Sequence, residues 1–186
     1  MGTQHPSLEP AHEKFIAKQP IFFVGSAAST GKINVSPKGM DSLRVLGPNR
    51  ILWRNLTGSG NETATHVRTS PRMTIMWCAF EGPPMILRAY GTARAIFRQE
   101  PDWAELDDPH FPPDPAARQL FDFNIEMVQK SCGYAVPEMT FKGERDVLTK
   151  WAEDKGEEGI HDYWASRNTK TLDGIETEIV ARNLGE

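Results

Sequence analysis

Apolar positions in this chain come in short runs broken by turn residues, and most runs repeat with a period of two. Ile21 to Ala27 is a near-continuous apolar run that predicts a buried strand, Ser29–Gly31 a turn, and Ile33–Ser36 the returning strand of a hairpin. In that return Asn34 and Ser36 share one face, Ile33 and Val35 the other. Ser36–Gly39 turns the chain again, and strands follow at 43–47 and 50–55 with Pro48-Asn49 between them. Residues 72–80 are apolar at alternate positions of both registers, which predicts burial of both faces. After a turn at 81–84, residues 85–98 alternate throughout. Ile86, Arg88, Tyr90, Thr92 and Arg94 fall on one face; Met85, Leu87, Ala89, Gly91, Ala93 and Ala95 fall on the other. A strand of that length with a central glycine predicts a bent barrel strand.

Helical spacing interrupts this pattern. Leu8, His12, Phe15 and Ile16 predict a helix over 7–18, stopped by Pro20. A short helix is expected from near Ser59, since Ser59 and Glu62 have the S-x-x-E spacing of a capping box, and Pro71 ends it. Residues 99–113 are polar and proline-rich and read as a loop or lid. Asp114-Pro115 then supplies an N-cap acid and a first-turn proline. Ala117, Leu120, Phe121, Asn124, Ile125 and Val128 follow at helical spacing, which predicts a helix to about Lys130. Residues 134–142 read as a late strand, and 145–155 and 157–167 as two helices parted by Gly156. The tail from Thr171 reads as a wrap over the surface or over a partner chain. Six or seven strands in hairpin order predict a mainly β or α+β fold, an antiparallel barrel with peripheral helices. It is read as a single domain, with a barrel core at about 20–142 and a helical segment at about 145–186.

Composition narrows the function classes. The 186 residues suit one domain, and 21 basic against 25 acidic residues give a net charge of −4, which excludes a polyanion-binding surface and hence nucleic acid as a partner. Cys78 and Cys132 have no metal-ligand spacing and imply no disulfide framework, favouring a reducing compartment. The first fifteen residues lack the apolar core of a signal peptide and no stretch approaches a membrane span, so a cytoplasmic protein without a membrane partner is expected.

The chemistry-bearing segment is WRNLTGSGNETATH, 53–66. An apolar strand runs into a polar loop of small residues that feeds a helix start, where unpaired N–H groups attract anions. Gly58-Ser59-Gly60 is not a dinucleotide fingerprint, because the third glycine and the acid closing a βαβ unit are absent. Lys38, Ser36, Ser59, Asn61 and Thr63 together offer a cation, three hydroxyls and an amide, the donor set a phosphate monoester takes. An ordinary turn beside an ordinary helix cap explains the same residues. Trp53, Trp77 and Tyr90 lie on strands as core or groove walls. The five histidines are scattered, with no metal pair, and no catalytic residue stands out.

The ordered set FFVGSAASTGKINVSPKG, ILWRNLTGSGNETATHVRTSPRMTIMWCAF and EGPPMILRAYGTARAI resembles the pyridoxamine 5′-phosphate oxidase-like, FMN-binding split-barrel superfamily. The resemblance covers about 15–98 and, more loosely, 145–176. It implies a six-stranded antiparallel split barrel, a homodimer, and FMN in the groove between subunits. By that resemblance the cofactor would meet Ser36, Pro37, Lys38 and Gly39 of the turn, and Trp53, Asn55, Leu56, Thr57, Ser59, Asn61 and Thr63 of the strand and loop. Arg88 would reach it from the long strand. The oxidases carry an Arg-Lys pair where this chain reads GSGNET, and Arg167 is the candidate for their C-terminal substrate-binding basic residues. An FMN-dependent oxidoreductase of a small molecule is therefore expected, of a branch other than the vitamin oxidase. A flavin- or haem-binding storage, carrier or sensor module is the alternative, and so is a member that has lost its flavin. Deazaflavin is a further cofactor of related barrels.

Overall fold

The computed structural model describes residues 2–185. Strand β1 (Thr3–His5) and helix α1 (Pro10–Ile16) precede the hairpin β2 (Phe22–Ser26) and β3 (Asn34–Lys38). Strands β4 (Leu43–Gly47) and β5 (Arg50–Leu56) lead into α2 (Glu62–Thr69), followed by β6 (Arg72–Cys78) and β7 (Ile86–Phe97). Then come α3 (Asp102–Asp107), β8 (Ala117–Ser131), α4 (Val147–Arg167) and α5 (Ile179–Leu184). The strands form one antiparallel sheet in the order β3-β2-β6-β7-β8-β5-β4, with β1 added to β8. The sheet thus holds eight strands rather than six, and among the described residues its ends, β3 and β4, do not pair to close a barrel.

The hairpin, the β4–β5 pair and the long β7 lie where their alternation predicts. The segment 117–131 does not form a helix. It is the fifteen-residue strand β8, paired with β7 from Phe97↔Gln119 to Ile86↔Ser131, with β5 from Leu56↔Ala117 to Arg50↔Asn124, and with β1. The reason lies in what covers it. Phe121, Phe123, Ile125 and Val128 enter the main core, where Trp53 stacks on Phe121 at 4.6 Å. Leu120 faces the other way, into a second apolar cluster with Leu52, Ile96 and Phe111. With both faces of its first half buried, the period of two disappears, and the apolar positions fit a helix equally well.

The second cluster exists because 99–113 is not an open loop. It contains α3 and lays Trp103, Leu106 and Phe111 on the outer side of the sheet. A bidentate pair from Arg54 Nε and Nη2 to Asp107, at 2.8 and 2.7 Å, fastens it to β5. Strand β6 buries Met73, Ile75 and Trp77, whereas Thr74 and Met76 are half-buried, so only one of its faces lies in the core. Residues 134–142 form no strand; their backbone is held by Met139 N–H to Phe80 O at 2.9 Å and Phe141 N–H to Glu81 at 3.1 Å. Gly156, with φ 63° and ψ 178°, breaks α4 into two helices as the sequence predicts. Helix α2 starts at Glu62, not near Ser59. The Glu62 carboxylate accepts from Leu172 N–H at 3.1 Å rather than closing a capping box.

Near the N-terminus His5, Glu9 and His12 bring their ligand atoms within 4.8 Å. The His12 Nδ1 lone pair accepts the Glu9 N–H at 3.1 Å, and His5 holds the Glu9 carboxylate at 2.7 Å. The three form the cap of α1.

Candidate functional site

A cavity of about 820 Å³ is lined by β3 and the residues just after it, by the segment from Trp53 to Thr63, by Arg118 and Leu148, and by the C-terminal stretch 167–172; Ser36 to Lys38, expected in a turn, are the end of strand β3. All the predicted site residues except Arg88 line it: Ser36, Pro37, Lys38 and Gly39, Trp53, Asn55, Leu56 and Thr57, and Ser59, Asn61 and Thr63. Arg88 lies outside this lining and donates to Ser131 Oγ at 3.2 Å across the β7–β8 pair. Arg167, the candidate for a substrate-binding cation, also lines the cavity.

Several lining side chains are committed to the fold. Asn55 donates to Gln119 Oε1 at 2.9 Å. The Thr57 hydroxyl donates to Ala116 O at 2.8 Å and accepts from Trp164 Nε1 at 2.9 Å. Thr63 Oγ1 accepts from both Ser26 and Asn34, each at 3.2 Å. Asn61 is different. It is 2% exposed, yet neither its amide nitrogen nor its amide oxygen has a hydrogen-bond partner, a costly state for a buried polar group.

Beneath the loop lies Arg118 of β8, 3% exposed. Its Nη1 donates to Asn168 Oδ1 at 2.7 Å and its Nη2 to Gly60 O at 2.6 Å, while Nε is without a partner. Asn168 Nδ2 in turn donates to Gly58 O at 3.0 Å. The carbonyls of Gly58 and Gly60 are thus drawn toward Arg118 and Asn168. Because C=O and the next N–H of a trans peptide point opposite ways, the N–H groups of Ser59 and Asn61 turn away from that pair. The N–H groups of 59–61 donate to no protein acceptor among the described residues. Successive free N–H groups of this kind form an anion-binding concavity.

The charges agree. Lys38 Nζ lies 5.3 Å from the centre of the Trp53 ring, and burial, then the positive charge of Arg118, bring its pKa down to about 8. Burial lowers Arg118 to about 10. Neither cation has an ion-pair partner among the described residues; Lys38 is half-buried, and a buried guanidinium such as Arg118 left without an acid is an uncommon and expensive arrangement. The acid in the lining, Glu62, is taken up by Leu172 N–H.

A second cavity of about 710 Å³ shares Pro37–Met40 and Leu148 with the first. Its walls are apolar, with Phe80, Met139, Phe141, Val147 and Trp151. The shared wall ends in strained backbone: Met40 and the residue after it, Asp41, are both left-handed, φ 60° and 52°. The Arg44 fork on Asp41 and the Ser42 hydroxyl on Gly39 O hold them there.

A family model described as pyridoxamine 5′-phosphate oxidase matches residues 8–132. This chain belongs to the pyridoxamine 5′-phosphate oxidase family. It is 34% identical over 194 aligned positions to the pyridoxamine 5′-phosphate oxidase family protein ustO of Aspergillus flavus, covering 94% of this chain and 77% of that one. Two solved structures share the fold. A variant of HupZ from Group A Streptococcus is 16% identical, with a TM-score of 0.51, over 66% of this chain and 98% of its own. A putative pyridoxamine 5'-phosphate oxidase from Lactobacillus delbrueckii is 17% identical, with a TM-score of 0.51, over 67% and 94%.

Within this pyridoxamine 5′-phosphate oxidase family member, sequence reasoning missed Arg118 and Asn168. Arg118 was hidden by reading 114–130 as a helix, which gave it no reason to face the loop. Asn168 had no signal, because its contacts lie 109 and 110 positions away in the chain. No helix among the described residues is long and apolar enough to cross a membrane.

Proposed function

We propose that this chain is an FMN-dependent oxidoreductase acting on a small molecule, working as a homodimer with the cofactor beside the subunit boundary. One observation carries the reading: a buried Arg118 and a half-buried Lys38, neither paired with an acid, set beside a loop with free N–H groups and an unpartnered Asn61 amide. That donor set fits a phosphate monoester. Lys38 and Arg118 come from different strands and supply two positive charges to the cavity beside a loop that lacks the oxidases' Arg-Lys pair.

Bound flavin would supply hydride-transfer chemistry. The chain's own residues bind and orient. The loop 58–61, Asn61 and Lys38 hold the phosphate, and the strained turn at Met40 joins this cavity to the apolar one. The apolar cavity is the seat we assign to a hydrophobic substrate portion, which would lie against Trp151 and Phe141. The edge strand β3 carries Val35, and Ile33 lies just before it, 66% and 76% exposed, next to the cavity; a second copy would cover them.

The protein as purified should show flavin absorbance, release FMN on denaturation, and bleach anaerobically with NADH or NADPH. A colourless protein without FMN affinity below about 1 mM sinks the reading. Bound FMN that no nicotinamide cofactor bleaches favours the carrier instead. Sedimentation at micromolar concentration tests the dimer.

Lys38 gives a pH signature. A cation whose pKa is near 8 is charged below that pH and neutral above it. FMN affinity should therefore be flat from about pH 6.5, where the phosphate is largely dianionic, to about 8. Above 8 it should fall toward tenfold per pH unit, by roughly 1.4 kcal/mol each. In Lys38→Met the alkaline limb should vanish, measured by flavin fluorescence titration.

A further inference from the structure

We infer that Asn168 is a positioning residue for the phosphate site, and that the C-terminal segment 168–178 and the bound phosphate therefore stabilise each other. This rests on the phosphate reading above. It concerns a part of the chain that lies beyond residues 8–132, the stretch matched by the family model.

Asn168 is fully buried and every polar atom of it is occupied. Its Oδ1 accepts from Arg118 at 2.7 Å and its Nδ2 donates to Gly58 O at 3.0 Å and, more weakly, to Ser59 O at 3.4 Å. Its N–H reaches Trp164 O at 3.0 Å and its carbonyl accepts the Thr177 hydroxyl at 2.5 Å. Trp164 is itself tied to Thr57. One amide thus does two things at once. It fixes the guanidinium fork that holds Gly60 O, and it holds Gly58 O directly. Both carbonyls must point at this pair for the N–H groups of Ser59 and Asn61 to face the other way.

The rest of the segment is fastened on either side of that loop's cavity, to the first residue of α2 and to the turn between β2 and β3. Leu172 N–H donates to Glu62 of α2, and Asp173 accepts from Lys32 N–H at 2.8 Å and from its ammonium at 2.5 Å. Lys170, Thr171 and Leu172 line the cavity. The loop conformation that binds the anion is therefore the one that docks the segment. A ligand selecting that conformation tightens the docking, and by linkage the docked segment tightens the ligand equally.

The test compares FMN with riboflavin, which has the ring system but no phosphate. In Asn168→Ala, FMN affinity should fall about thirtyfold, the loss of charge-coupled hydrogen bonds, while riboflavin affinity stays within about twofold. In Asn168→Asp the Nδ2 donor is lost and an anion faces Arg118, so FMN should weaken further and riboflavin should not. Equal losses for both ligands, or no loss for either, overturn the inference.

Inorganic phosphate separates the two readings. A wild type that holds inorganic phosphate but neither flavin refutes the flavin reading alone, and the phosphate affinity of Asn168→Ala then decides the inference. A wild type that takes neither FMN nor phosphate refutes both. Should Asn168→Ala not fold, amide exchange in the wild-type chain decides. Exchange over 169–177 should slow about tenfold on adding FMN or phosphate, and unchanged exchange overturns the proposal.

Discussion

Replacing Arg118 with methionine should weaken FMN by about a hundredfold or more, with a much smaller effect on stability. Methionine fills most of the space but brings no charge and no donors. The phosphate loses a cation set in low dielectric, and the carbonyls of Gly58 and Gly60 lose the fork that aims the loop. Charge-assisted bonds contribute roughly 1.5–3 kcal/mol each, so losing the charge and part of the loop geometry together amounts to about 3 kcal/mol. Folding is less affected because two effects oppose. The freed carbonyls and Asn168 Oδ1 are left without donors, but the chain no longer buries a guanidinium that lacks an acid. A net loss of about 1 kcal/mol is expected in urea titration of the ligand-free protein. Arg118→Lys should keep part of the charge effect and lose the fork, falling between the two. Were Arg118→Met to bind FMN like the wild type, the cation beneath the loop would have no part in holding phosphate.

The largest loss of stability should come from Gly91→Ala. Strand β7 shifts register against β8 between Tyr90 and Gly91, and there the two backbones come close. A Cβ on Gly91 would overlap the carbonyl oxygen of Asn124 and sit only 3.1 Å from Ile125 Cα. These are backbone atoms of the central strand pair, which cannot swing aside as a flexible side chain would. Ala89 and Ala93, two positions away on the same face, are buried on a strand pinned by β6 and β8. Overpacking in a core costs typically 1–3 kcal/mol, and with no side chain to yield, about 3 kcal/mol or more is expected here. The midpoint of urea unfolding reads this directly. A change under about 0.5 kcal/mol would mean that the bulge adapts and that the glycine is not what permits the close approach.

Where the sequence is legible, one side of each element faces the core and the other faces water. The hairpin from Phe22 to Lys38 and the alternation of β7 are of this kind; the β4–β5 pair is legible instead from its bounding turns, since β5 is buried on both faces. Glycine marks two features, the close backbone approach at Gly91 and the break at Gly156, because each demands a geometry that a side chain resists. The errors occur where a strand is covered twice or hydrogen bonding comes from afar. Strand β8 loses its alternation because the 99–113 segment buries its second face. Glu62 leaves its expected cap because Leu172 N–H, 110 positions later, competes for the carboxylate.

The same division applies to the site. Its donors near one another in sequence, Ser36 with Lys38 and Ser59 with Asn61 and Thr63, could be picked out because turns and helix starts expose unpaired groups locally. The ordered run of strand, turn and loop was enough to place the chain in its family. What only the tertiary structure decided is the orientation of the loop and its charge. Arg118 arrives from a strand whose identity depends on the helix packed outside it, and Asn168 from a segment whose local sequence says nothing about loop 58–61. Burial of Arg118 is a property of the assembled sheet, as is the lowering of Lys38 by desolvation and by Arg118, because both depend on how much water and which charges the whole fold leaves nearby.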